Sequence, residues 1–257
     1  MDATGQVMAL VQELTGIRLG PEKRTLVEAR LGKRLRQLGC DMRDYARRLR
    51  QDEGELLRCI DLITTNHTAW KREAAHFDDL ARRVLPRLAG RLRIWCAAAA
   101  TGEEPWTIAL TLLRHIPDLQ RWDAAILATD ISTRALAIAE RGVYPEERVQ
   151  ALSAEERQLA LEPGPERGTW SVRPALRRLV TFARLNLIDQ WPMRRPFDAI
   201  FCRNVMIYFD QATQTQLVQR LAGFLNRGGT LYVGMSESLT GIPHPLRMQG
   251  PAIYVKP

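Results

Sequence analysis

Arg93-Ile-Trp-Cys96-Ala-Ala-Ala-Ala100-Thr-Gly102-Glu-Glu-Pro-Trp-Thr107 is the stretch that decides how this chain folds. A short apolar run gives way to small residues, then to Thr101-Gly102, then to a helix. Glu103 and Glu104 stand in the first turn of that helix, where carboxylates suit the positive end of the helix dipole. Pro105 loses nothing there, because its missing N–H would be unpaired anyway. From Ile108 the text Ile-Ala-Leu-Thr-Leu-Leu113 continues a helical face. A buried strand, a tight turn and a helix form the first unit of an open α/β sheet, whose ligand crevice lies at the strand's carboxyl end.

The loop also narrows the ligand. A dinucleotide site would place Gly-x-Gly-x-x-Gly here, so that a pyrophosphate rests on bare N–H groups. This loop has one glycine followed by two carboxylates, which repel a phosphate. Small residues beside acidic ones suit an adenosine carrying a cationic centre, and S-adenosylmethionine is such a ligand. The competing possibility is an ordinary strand–helix turn with an acidic helix start, and this loop alone does not choose. Ala124–Asp130 is a second apolar run ending in an acid. A carboxylate at the end of the second strand is placed to accept hydrogen bonds from ribose hydroxyls; otherwise Asp130 only caps the helix Ser132–Arg141.

With 257 residues, 46% hydrophobic and 26% charged, the chain has room for one large domain or two unequal ones and an ordinary globular composition. No apolar run approaches the roughly 20 residues that span a bilayer. Met1-Asp-Ala-Thr-Gly-Gln6 lacks the basic flank and apolar core of a signal peptide. Membrane insertion is therefore not expected. Cys40, Cys59, Cys96 and Cys202 show neither zinc-type pairing nor a disulfide framework, so a reducing, cytoplasmic setting without a bound metal is expected. The net charge of +8 implies an acidic partner, whether nucleic acid, membrane surface or protein.

Residues 1–63 read as helices alone. Val7, Leu10, Val11 and Leu14 space a short amphipathic helix that Gly16 ends; a second runs from about Pro21 to Leu38, with Gly39 as its stop. Leu26, Leu31, Leu35 and Leu38 make its apolar face. Arg30, Lys33, Arg34 and Arg36, then Arg43, Arg47, Arg48 and Arg50, give a dense positive surface. That surface is either a solvated helix face or a dock for an acidic partner. Residues 64–257 hold the sheet. Their first segment, from Thr64 through Asn66, Thr68 and Trp70 to Arg72 and Glu73, is polar and leads into a helix with Phe77, Leu80, Val84 and Leu85 on one side. It is a linker or a lid folded back over the crevice.

Between about 150 and 183 the α/β rhythm breaks. A helix near Leu152–Leu161, the turn Pro163-Gly-Pro165, and short strands at Trp170–Val172 and Leu179–Phe182 predict an inserted antiparallel hairpin. Asn186-Leu187 follows at another strand end. Phe197–Cys202 is an apolar strand leading into Arg203-Asn204, and Cys202 reads as a strand-end residue lining the cofactor pocket. Asn204 is followed by Val-Met-Ile rather than Pro-Pro-aromatic, which argues against a nucleobase substrate. A helix over Gln214–Leu225, closed by Asn226-Arg-Gly-Gly229, precedes a final strand pair at Leu231–Gly234 and Ala252–Val255.

Five motifs together resemble the chemotaxis receptor methyltransferase (CheR) family over nearly the whole chain. They are Thr64–Glu73, Ala97–Trp106, Ala128–Ser132, Phe197–Asp210 and Gly234-Met-Ser-Glu-Ser238. The resemblance implies a small all-α N-terminal domain joined to a Rossmann-like methyltransferase sheet with an inserted β-subdomain. It implies transfer of a methyl group from S-adenosylmethionine, leaving S-adenosylhomocysteine, to glutamates of a chemoreceptor's cytoplasmic helical bundle by a monomeric enzyme. Asn66, Thr68 and Arg72 match the family's lid residues. Glu104 and Asp130 match its acidic cofactor contacts, and Asn186, Leu187, Cys202 and Arg203 its remaining ones. Tyr208 matches the tyrosine at the reaction centre. The helix carrying Arg30, Arg34 and Arg36 looks like the receptor-facing helix.

Three departures stand out. Trp70-Lys71 replaces a usual Phe-Phe, and Met235 replaces a common histidine. Glu162-Pro163 occupies ground that is glycine-rich in members gripping a receptor's C-terminal pentapeptide, so independence from such a tether is expected. A glutamate is ionised at neutral pH, so its methylation needs no general base, only alignment in a site that excludes water. Arg72 and Tyr208 are the groups expected to orient it. Two alternatives remain open. One is a nucleic-acid methyltransferase, disfavoured by the missing motif and the lack of an aromatic-rich basic groove. The other is a catalytically silent adaptor that keeps the cofactor cleft.

Overall fold

The computed structural model describes residues 2–257; Met1, the first residue of the expected helical domain, lies outside the described residues. Four helices come first: α1 (Ala3–Thr15), α2 (Arg24–Leu38), α3 (Met42–Leu49) and α4 (Glu53–Ile63). Asp2, Asp41 and Asp52 cap α1, α3 and α4 by accepting from backbone N–H groups three residues on. Gly16 and Gly39 end α1 and α2 in the left-handed conformation. The domain's core joins Val7, Val11, Val27, Leu31, Tyr45, Leu49 and Cys59. Leu26, expected on the apolar face, is instead exposed; the buried positions of α2 are Val27 and Leu31.

After α5 (Ala75–Asp79) and a wider helical turn over Leu80–Val84, the sheet begins with β1 (Arg91–Cys96), α6 (Glu103–His115), β2 (Asp123–Asp130) and α7 (Thr133–Arg141). A small unit follows: β3 (Val143–Pro145), α8 (Ala154–Ala160), β4 (Leu161–Pro163), β5 (Thr169–Val172) and α9 (Pro174–Arg177). The chain closes with β6 (Val180–Arg184), β7 (Phe197–Cys202), α10 (Gln211–Gly223), β8 (Leu225–Val233), β9 (Arg247–Gly250) and β10 (Ile253–Val255). The main sheet runs β6-β2-β1-β7-β8-β10-β9. Its first five strands are parallel, and β10 pairs antiparallel with both β8 and β9. Strand order reverses between β1 and β7, and the crevice at such a switch point is where an open α/β sheet takes its ligand.

Alternation along the strands builds two cores. Ile94 and Phe201 face one side with Phe77, Leu80 and Ile108; Trp95, Ile200 and Leu231 face the other with Leu217 and Leu221 of α10. The small sheet is β3-β5-β4, antiparallel throughout. Two expectations are corrected here. Residues 179–182 do not belong to the insertion: β6 pairs in parallel with β2 at the edge of the main sheet, and Val143–Pro145 supplies the third strand of the small one. Asn226–Gly229 opens β8 rather than closing a helix, because α10 starts at Gln211 under the Asp210 cap and has already ended at Gly223.

Candidate active site

A cleft of about 1140 Å³, counted out to its open mouth, lies where the strand order reverses. Ala97, Ala98 and Ala100 from the β1–α6 loop and Asp130 from the end of β2 form its floor. Asp130 is not the helix cap, since Ser132 caps α7 with its own hydroxyl. Its two oxygens instead accept from Ala100 N (2.8 Å) and Ser132 N (2.9 Å), latching the loop to the strand end. A carboxylate has about four acceptor positions, so these two bonds do not exhaust it. Burial raises the Asp130 pKa, against the pull of those N–H groups. Gly102 closes the turn at φ +99°; a Cβ there would lie 2.7 Å from Tyr144 Oη and 2.8 Å from Ala139 Cβ. This glycine lets the loop press onto α7.

The segment after α4 does fold over the cleft. Thr64, Thr65, Asn66, His67, Thr68 and Arg72 line it, with Asn66 Nδ2 donating to Ser132 Oγ at 3.2 Å. Trp70 is buried edge-on against Tyr144. Lys71 points away from the cleft and meets both oxygens of Glu156 on α8 at 2.8 and 2.9 Å, so this departure ties the lid to the inserted unit. Arg203 is buried and committed. Its Nη1 donates to Glu104 at 2.6 Å, its Nη2 to Glu73 at 2.9 Å and to Arg72 O. Burial pushes the Glu104 pKa up against the pull of Arg203. Desolvation would lower Arg203, but its two carboxylates hold it above its ordinary value. Arg72 differs: one Nη1 bond to His67 O holds it, and among the described residues no carboxylate pairs with it.

The far wall comes from the strand-end segments and the helical domain. Leu185, Asn186 and Leu187 follow β6; Asn204, Val205, Tyr208 and Phe209 follow β7; Ile17, Arg18, Lys23, Leu26 and Arg30 face them. Arg18 N donates to Tyr208 O at 2.7 Å, and Asn186 Nδ2 to Leu14 O at 2.7 Å, so the first helix ends directly on the site. Three expectations change. Cys202 does not line the cleft: its side chain is fully buried in the core with Trp95 and Val233, and burial raises its pKa well above the ordinary thiol value. Arg34 is turned inward onto the buried Glu55, with Nε at 2.9 Å, and so is no free docking charge. Arg30 bonds Ile63 O, Thr64 O and Thr65 Oγ1 at the domain junction, leaving Arg36 as the exposed member of the three.

Two family models cover the chain: the CheR methyltransferase all-alpha domain over residues 4–64, and the CheR methyltransferase SAM binding domain over residues 66–255. The chain belongs to the CheR methyltransferase family. It is 42% identical over 237 residues to a probable chemotaxis protein methyltransferase of Rhizobium etli, covering 88% of each chain. It is 41% identical to chemotaxis protein methyltransferase 2 of Pseudomonas aeruginosa, over 97% of this chain and 91% of that one. It is 40% identical to the chemotaxis protein methyltransferase of Escherichia coli, over 97% of this chain and 88% of that one.

As a CheR methyltransferase the chain works with S-adenosylmethionine, and the residues present fit that group. The alanines bring backbone rather than bulk to the floor, and two acids line the same cleft, Asp130 at the end of β2 and Glu104, which is paired with Arg203. Sequence reasoning missed several residues that build this CheR site. Glu103 pairs with Arg148 of the inserted unit, Glu73 holds Arg203, and Glu237 binds the backbone of the Tyr208 segment. All three lie inside the family motifs, Glu73 in Thr64–Glu73, Glu103 in Ala97–Trp106 and Glu237 in Gly234–Ser238, but the motifs do not name their partners.

Proposed function

We propose that this chain methylates glutamate side chains on the cytoplasmic helices of a chemoreceptor, as a soluble cytoplasmic monomer. The observation that carries this is the division of labour between two arginines. Arg203 is neutralised by Glu73 and Glu104, whereas Arg72 lines the cleft with no carboxylate partner among the described residues. A substrate carboxylate supplies the missing partner, and charge-assisted hydrogen bonds from Arg72 and Tyr208 orient it. Bound S-adenosylmethionine supplies an activated methyl group next to that carboxylate. The chain's own part is to align the acceptor oxygen and exclude water, for which the lid 64–73 is placed. The proposed cofactor contacts are Asn66, Thr68, Arg72, Glu104, Asp130, Asn186, Leu187 and Arg203. The names of the relatives support chemotaxis as the setting.

The cationic helical wall, with Arg18, Lys23 and Arg30 in the cleft and Arg36 outside it, suits an acidic helical substrate. Independence from a C-terminal tether is part of the proposal. Strand addition needs a free edge of backbone N–H groups, and β4 has three residues ending in Pro163, which has no N–H to give. Trp170 is covered by the Arg157 guanidinium, 5.4 Å from its ring centre. Isothermal titration with a receptor C-terminal pentapeptide is expected to show no micromolar binding; micromolar affinity overturns this part. Tyr208→Phe is expected to lower kcat about tenfold or more while the affinity for S-adenosylhomocysteine stays within about threefold. Unchanged turnover would reduce Tyr208 to a packing residue.

A further inference from the structure

Glu237 is a nearly buried acid whose partners are backbone. Its Oε2 accepts from Asn204 N at 2.8 Å and Gly234 N at 2.6 Å; its Oε1 accepts from Met206 N at 2.8 Å and Ile207 N at 3.3 Å. No arginine or lysine pairs with it among the described residues. Burying a carboxylate without a countercharge is costly unless its oxygens are satisfied, and four N–H groups do that here. The four donors come from two places. Gly234 directly follows β8, while Asn204, Met206 and Ile207 belong to the short segment that carries Tyr208.

That segment would not hold its shape alone. Asn204 sits in the left-handed region at φ 57°, and its Nδ2 reaches Glu73 Oε1 at 3.3 Å. Met206–Tyr208 is a single 3₁₀ turn whose first N–H groups have no partners within the turn. Glu237 accepts from two of them. Gly234 matters for the same junction: a Cβ there would lie 2.4 Å from Asn204 Nδ2 and 2.8 Å from Glu237 Oε2. Only a carboxylate presents acceptors on both oxygens; an amide turns one into a donor facing an N–H.

We propose that Glu237 is a positioning residue for methyl transfer, fixing the segment from Asn204 to Tyr208 so that the Tyr208 hydroxyl meets the substrate carboxylate. This rests on the role given to Tyr208 above. Glu237→Gln, Tyr208→Phe and the double variant separate the two ideas, with methyl transfer from labelled S-adenosylmethionine to receptor membranes and S-adenosylhomocysteine titration as readouts. Glu237→Gln is expected to lower kcat by about ten- to a hundredfold, the range a sub-ångström to ångström misplacement produces. Cofactor affinity is expected to stay within about threefold. In the Tyr208→Phe background the further loss is expected to shrink below about threefold, since residues acting as one unit are not additive.

A full loss in that background, or cofactor affinity falling in proportion to kcat, overturns the proposal. If Tyr208→Phe alone leaves turnover intact, the role of Tyr208 fails and this inference with it. Should Glu237→Gln not fold, Gly234→Ala strains the same junction from the β8 side and must give the same pattern; a fall in cofactor affinity alone would refute it.

Discussion

Replacing Asp130 by Asn separates a cofactor contact from a loop latch. The carboxylate accepts from Ala100 N and Ser132 N, one on each oxygen. An amide can accept from only one of them and sets its NH₂ against the other, leaving a buried donor unpaired. That costs about 1–3 kcal/mol, which in a domain of this size lowers Tm by roughly 2–4 °C per kcal/mol. If the remaining acceptor positions also hold the cofactor's hydroxyls, binding loses a charge-assisted hydrogen bond. Such a bond is worth about 1.5–3 kcal/mol, or roughly 10- to 150-fold in Kd. Differential scanning calorimetry gives the first quantity and titration with S-adenosylhomocysteine the second. Both are expected to fall. Because burial raises the Asp130 pKa, wild-type affinity is also expected to weaken with acid from a higher pH than an ordinary aspartate would give. A full loss of Tm with Kd changed by less than about threefold would refute the cofactor role and leave a latch.

Three further outcomes follow from the same structure. Glu156 receives Lys71 and Arg114 as well as its own capping-box hydrogen bond, so Glu156→Gln is expected to cost about 2–3 kcal/mol, seen in thermal unfolding. The Michaelis constant for S-adenosylmethionine is expected to rise with it as the lid loosens; an unchanged constant would make Lys71 a stability contact only. His76 is fully buried, and burial together with the Arg203 charge pushes its pKa down to about 4. Between about 6.5 and 4 the unfolded chain takes a proton that the folded one refuses, so this stability is complete above about 6.5 and lost as pH falls to about 4. The sum is about 3 kcal/mol, and His76→Leu is expected to flatten the fall of Tm across that window. The buried Asp130, Glu103 and Glu104 work with the opposite sign, so the wild-type-minus-variant difference is the quantity to read.

Local chemistry made the frame legible. The turn at Gly102, the stops at Gly16 and Gly39 and the acid at Asp130 are set by residues within a few positions of one another. What failed is non-local. Cys202 ends a central strand buried on both faces, and an apolar run does not reveal whether its last side chain points at the cleft or the core. Residues 179–182 look like any short strand; that they pair with β2, some fifty positions earlier, is a property of the sheet. Arg34 looked free because Glu55, its partner 21 positions away, lies on another helix. Glu237 carried no legible role because all four of its contacts are backbone groups, which have no sequence signature.

The most direct test incubates the purified chain with methyl-tritiated S-adenosylmethionine and membranes bearing chemoreceptors, then treats the labelled receptor with base. A glutamate methyl ester releases its label as methanol, and the release should disappear when Arg72 is replaced by Ala. Base-stable label, or label on the receptor that persists without Arg72, would contradict the assignment.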